Sequence, residues 1–253
     1  MTLLTSLGTD ETERSEEDME RDLPSGDIQT ANRDNPNVMT LHTEGTNNPQ
    51  LTPVETNEKA IISDGMAVVH ELSGQQIKTC LDIAQTFVIA NDIKAQNYTL
   101  VHVVFDHYDI ENSSKTRTRN RRQGKHGACC KYDVTDTTQF NMPLNRFLSN
   151  TENKDQLTTY LAKKVLQFYM STKSVTVATK DGAASNGLRV DHLQSNQEEA
   201  DTLLILHAIS GSKLRASVHI ASPDTDVFVI ALQKLHPMGN NVSMLVGTGS
   251  SPK

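Results

Sequence analysis

The chain has 253 residues, enough for one large or two small domains with a buried core. Its charge is uneven. Residues 1–60 carry thirteen Asp/Glu against four Lys/Arg, a net −9, while the whole chain is −7, which leaves +2 for residues 61–253. The nearly neutral body neither calls for nor excludes a nucleic-acid partner. No window approaches 18 consecutive apolar residues, so no membrane partner is expected. The start, MTLLTSLG, runs into acids rather than a signal-peptide pattern, and three cysteines with two adjacent make a poor disulfide framework. The expectation is an intracellular protein of the nucleus or cytoplasm.

Residues 1–57 are rich in Thr, Asn, Glu, Asp and Pro and cannot bury enough surface to offset chain entropy. They read as a disordered acidic tail that could recruit a basic protein partner. Order should begin near KAIISDG, a short apolar run closed by Asp-Gly, as at a buried strand meeting a turn. A helix is expected within MAVVHELSGQQIKTCLDIAQTFVIANDI, where the later apolar positions 77, 80, 81, 83, 84, 87 and 88 fit helical spacing. YTLVHVVFDHY reads as a second strand, nearly continuous in apolar residues and so buried on both faces.

The segment SSKTRTRNRRQGKH is a basic loop or helix start. QLTTYLAKKVLQFYM is an amphipathic helix with Leu157, Leu161, Val165 and Phe168 on its apolar face, and SVTVAT is a third strand. KDGAASNGLRVDHLQSNQ, rich in Gly, Asn and Ser, is expected to be an exposed loop. EEADTLLILHAIS opens a helix with acids in its first turn, favourable for the helix dipole. ASVHIASPDTDVFVIALQKL gives a fourth strand, an acidic turn and a helix, and NVSMLVGTG a fifth strand. Strands alternating with helices argue for an α/β domain over 58–253, with a mostly parallel sheet of about five strands and helices on both faces.

Ligands of open α/β sheets bind at the carboxyl ends of the strands. Asp64 follows the first strand, Asp106 the second, and Asp224 and Asp226 the fourth, while Glu199 and Asp201 open the helix leading into that fourth strand. Alone, an Asp-Thr-Asp turn is usually structural and an acidic helix start usually caps. Six carboxylates from four segments on one rim are different, because like charges crowded together need a cation. Oxygen ligands suit Mg2+ or Mn2+, and a pair of such ions can activate water against a phosphodiester.

Four motifs in order carry a resemblance: IISDGMAVVH, VVFDHYDIENSSKTRTRNRR, EEADT and SPDTDV. Together they resemble the PIN-like, flap-endonuclease-like nuclease superfamily over about 58–249. The resemblance implies a structure-selective DNA or RNA hydrolase. Asp64, Asp106, Glu199, Asp201, Asp224 and Asp226 would be its metal ligands, direct or through water, with Asp106, Glu199 and Asp224 at the catalytic centre. Lys115, Arg117, Arg119, Arg121, Arg122 and Lys125 would hold phosphates of the scissile strand, an interaction that weakens with salt. As a solvated loop or a localisation signal the same basic run would need no substrate.

One departure stands out. The family carries a further Asp past the fifth strand in a Gly-Cys-Asp-like segment, where this chain reads LVGTGSSPK. That implies a domain cut short at its C-terminus, or reduced activity. The alternative reading is therefore a catalytically impaired module that binds nucleic acid or protein. Other chemistries find little support. His126, Cys129 and Cys130 lack zinc-ligand spacing, no G-x-S-x-G elbow or P-loop occurs, and His207 and His219 lie in apolar segments where packing is the ordinary role.

Overall fold

Strand-forming runs of Val, Ile and Ala build a seven-stranded sheet: β1 (Val38–Thr40), β2 (Lys59–Asp64), β3 (Leu100–Val104), β4 (Ser174–Thr179), β5 (Gly182–Ser185), β6 (Ser217–Ala221) and β7 (Val242–Leu245). The structure, a computed structural model, describes residues 38–40, 58–107, 129–170, 172–195, 199–214, 217–234, 238 and 242–245. The strand order is β1-β7-β6-β2-β3-β4-β5. The five strands from β7 to β4 are mutually parallel, and the edge strands β1 and β5 pair antiparallel. The α/β, mostly parallel reading holds. No helix among the described residues is long and apolar enough to cross a membrane.

Among the described residues, six α-helices accompany the sheet: α1 (Gly65–Glu71), α2 (Cys80–Lys94), α3 (Leu144–Phe147), α4 (Thr151–Phe168), α5 (Ala200–Lys213) and α6 (Thr225–Gln233). Local chemistry starts the long ones. Thr79 and Asp82 form a reciprocal capping box at α2, and Asn150 accepts the Glu152 and Asn153 amides at α4. Alternate residues of β3 feed two cores. Val101 and Val103, with Phe105 just beyond the strand, pack with Phe87, Leu157, Leu161 and Val165 of α2 and α4. Leu100 and Val104 pack with Leu203, Leu204 and Ala208 of α5 and Val227 of α6. All five residues of β3 are buried, as a strand covered on both faces requires.

Three expectations need correction. Phe168 is 51% exposed, because α4 ends there and the next residue, Tyr169, turns into the core instead. The stretch read as a loop after β4 contains β5, closed onto β4 by a tight turn in which Gly182 takes φ 101°, open to a residue without Cβ. Within the N-terminal segment read as disordered, Val38–Thr40 pairs with β7, where the tail has an apolar run. The rest of residues 1–57 lies outside the described residues.

Chain order explains where a ligand would go. From β2 the chain moves outward through β3 to β4 with α1, α2 and α4 on one face. It then returns to the other side of β2, building β6 and β7 with α5 and α6 on the opposite face. The direction of winding reverses between β2 and β6, and the crevice at the carboxyl ends of such strands is the expected binding place.

Gly65 shapes that crevice. A Cβ there would lie 2.5 Å from Phe105 Cε1. Gly65 follows Asp64, and Phe105 precedes Asp106, so this close approach draws the two carboxylates together. Phe105 is fully buried and cannot retreat. Gly65→Ala should therefore destabilise the fold by about 1–3 kcal/mol, read as a lower urea midpoint, and an unchanged midpoint would show that the ring has room.

Candidate metal centre

Three helices begin at this rim, and an acid stands at each start. Asp64 is the N-cap of α1, its Oδ1 accepting the Ala67 amide at 3.0 Å. Asp224 is the N-cap of α6, accepting the Asp226 amide at 2.9 Å, and its own amide donates to Ser222 Oγ at 3.2 Å. Glu199 occupies the N-cap of α5 without capping it. The acceptor comes instead from just beyond β3: Asp106 Oδ1 takes the Ala200 amide at 2.8 Å. That bond clamps the end of β3 to the start of α5 across 94 positions of sequence. Three helix N-termini give the rim partial positive charge, which eases the crowding of carboxylates.

Oxygens of Asp201, Asp224 and Asp226 lie within 4.8 Å of one another, with Asp201 half-buried and the other two exposed. Asp64, Asp106 and Glu199 surround this trio closely enough to act on it electrostatically. Burial first, then the charges of Asp224, Asp106, Glu199 and Asp64, push the Asp201 carboxyl up to about 6. Burial also pushes Asp64 up to about 6, helped by Asp106 and Asp224 and opposed by the Ala67 and Met66 amides. All six sequence-derived acids thus reach one rim, although three alone form the tight group.

The donor set is entirely carboxylate oxygen, which fits a hard divalent cation. Oxygens sharing one Mg2+ at about 2.1 Å can stand no more than about 4.2 Å apart, so small side-chain rotations would close the trio on an ion. His126 lies outside the described residues, Cys129 is half-buried and Cys130 exposed, and no ligating group forms around these cysteines among the described residues. The six basic candidates, Lys115 to Lys125, also lie outside the described residues.

Several participants escaped sequence reasoning. A groove of about 560 Å³ runs from Asp64 and Asp224 along α1, walled by Met66, Ala67, His70 and Glu71. The signal was present: Ala67 and Glu71 stand three and seven residues after Asp64, on the same helical face. Ser222, two residues before Asp224, holds the acidic turn in place, as a Ser at that offset often does. Compared with known proteins, the chain matches no family model, no curated protein and no solved structure.

Proposed function

We propose that this chain is a Mg2+- or Mn2+-dependent phosphodiester hydrolase acting on DNA or RNA, with a PIN-like, flap-endonuclease-like domain. One observation carries the reading: the Asp201, Asp224 and Asp226 oxygens gather within 4.8 Å of one another at the switch point of a parallel sheet, beside Asp64 and Asp106. Carboxylates brought this close repel one another, and a cation between them would relieve that repulsion.

Bound Mg2+ or Mn2+ would supply charge neutralisation and a water acidic enough to attack phosphorus. Asp201, Asp224 and Asp226 would hold an ion, with Asp64, Asp106 and Glu199 as further ligands around it, directly or through water. Asp64 and Asp201, both raised to about 6, must give up their protons to serve as ligands, so affinity for the ion should rise as pH passes 6. Asp106 has a further task, since its bond to Ala200 fixes Glu199 and Asp201 relative to β3. The basic run Lys115–Lys125 would position the strand by its phosphates.

Calorimetric titration of the full chain with Mn2+ tests this. Wild type should bind, release protons near pH 6, and lose at least about tenfold in affinity on Asp224→Asn, the scale already seen when residues behind metal ligands are changed. Equal binding by both proteins would remove the metal centre. Binding without turnover on any nucleic acid would instead single out a binding module of the same fold.

A further inference from the structure

On the opposite side of β3 from α2 and α4, two histidines meet in an apolar layer. His102, in the middle of β3, is 2% exposed, and His207, in the middle of α5, is fully buried. Their Nδ1 atoms are 2.9 Å apart and the rings cross at 89°. Neither Nε2 has a hydrogen-bond partner among the described residues.

The surroundings offer no counter-charge. Beside His102 in register stand Ile62 of β2 and Thr176 of β4. Leu203 and Leu204 of α5 fill the same core. Among the described residues, His192 is the one other titratable group that bears on either ring, from a turn of 3-10 helix at Asp191–Leu193, and its Nε2 lies 2.7 Å from Ser210 Oγ. No carboxylate contributes. The three rings do not make a cation site either, since the acidic trio is the only such group of ligating atoms among the described residues.

A contact between two imidazole nitrogens holds one proton. One ring donates from Nδ1 and the other accepts there, so both rings are neutral. A second proton on the accepting nitrogen sets two N–H groups against each other at 2.9 Å. A proton on a free Nε2 instead places a cation in an apolar layer without an acceptor. The first breaks the contact outright, and the second keeps it but buries a charge without a counter-charge, so acid destabilises the seated helix in both cases.

We propose that the His102–His207 pair is an acid-sensitive latch that holds α5 on the sheet. His207 sits six residues, about 9 Å along the helix, from Asp201. Opening the latch therefore loosens the element that carries Glu199 and Asp201, and acidity reaches the carboxylate rim through the core. The latch stands whether or not the rim binds metal. Burial agrees with the geometry, holding both rings well below the ordinary histidine range.

The sign is fixed by linkage. With folded values depressed, the stabilisation is present above the unfolded histidine value, near 6.5, and is lost as pH falls toward the folded values. Asp64 and Asp201, raised to about 6, act with the opposite sign in part of that range, so the test compares two proteins that both keep them. The comparison is full-length wild type against the double variant His102→Leu/His207→Leu, unfolded by urea in EDTA from pH 7.5 to 5. Replacing both partners by apolar side chains should leave stability near neutral pH little changed. Below pH 6.5 the folded-to-unfolded ratio of wild type should fall relative to the variant, by up to about tenfold per pH unit for each ring that protonates on unfolding. Parallel profiles would overturn the latch.

Wild type alone gives a second measurement, needed if the variant does not fold. The imidazole carbon-bound proton signals of His102 and His207 should keep their neutral positions in the native protein down to pH 5. Amide exchange along α5 should accelerate on acidification before that of α2 and α4. Titration of either ring near 6.5 within an intact native state, or acceleration equal on both faces, would overturn it.

Discussion

At saturating Mg2+, Asp224→Asn and Asp106→Asn should each slow phosphodiester cleavage by at least about a hundredfold, because removing a ligand exceeds the 10–100-fold effect of changing the residue behind one. Asparagine is the informative replacement. Its side-chain oxygen can still accept the Asp226 amide at position 224 and the Ala200 amide at position 106, so the start of α6 and the β3–α5 clamp survive. What disappears is charge at the place where a cation would sit. The assay uses single-stranded and branched DNA and RNA, with circular dichroism to verify folding. Wild-type rates in both variants would show that the rim is not an active centre. Loss of cleavage with retained nucleic-acid binding would separate the acids from the basic run Lys115–Lys125, whose contribution should fade with salt.

Without metal, the same rim should be a weak point of the fold, and Asp64→Asn should strengthen it. The Asp64 carboxyl is raised from 3.8 to about 6, chiefly by burial. A raised carboxyl contributes stability fully below 3.8, and that contribution is lost as pH rises through 6. At pH 8 in EDTA the asparagine variant should therefore exceed wild type by up to roughly 3 kcal/mol, a ceiling because the carboxyl keeps some contact with water. Below pH 4 the two should converge. Asparagine keeps an acceptor for Ala67, so the cap on α1 is conserved and the gain reports the charge. Adding Mg2+ should stabilise wild type more than the variant and narrow or reverse the gap. Urea midpoints at pH 4 and 8, with EDTA or Mg2+, read all four corners. A variant less stable than wild type at pH 8 without metal would mean that the rim tolerates its charge unaided.

Both results bear on how far residue patterns reach. The nearly continuous apolar run Leu100–Val104, interrupted only by His102, identified a strand buried on both faces, and its five residues are buried. Leu157, Leu161 and Val165 identified the buried face of α4, but the same period carried one residue too far, to the exposed Phe168, since periodicity does not say where a helix stops touching its neighbour. The Gly/Asn/Ser composition of 180–197 concealed β5, because pairing with β4 outweighs local propensity once an edge is available. Acids placed just after strands and at helix starts were also visible, and each lies at the rim that its position in the sequence indicated.

The order of α and β elements, the parallel character of the sheet and the rim on which the acids stand were determined by the sequence itself, because these follow from periodicity, turn residues and the handful of topologies that alternating strands and helices permit. The gathering of the Asp201, Asp224 and Asp226 oxygens, the pressing of Gly65 against Phe105 and the meeting of His102 with His207 were decided only in the tertiary structure. Those contacts join residues up to 105 positions apart. They depend on strand register and on how a helix is seated on the sheet, to within about an ångström, and no local pattern encodes a distance that two separate segments set together.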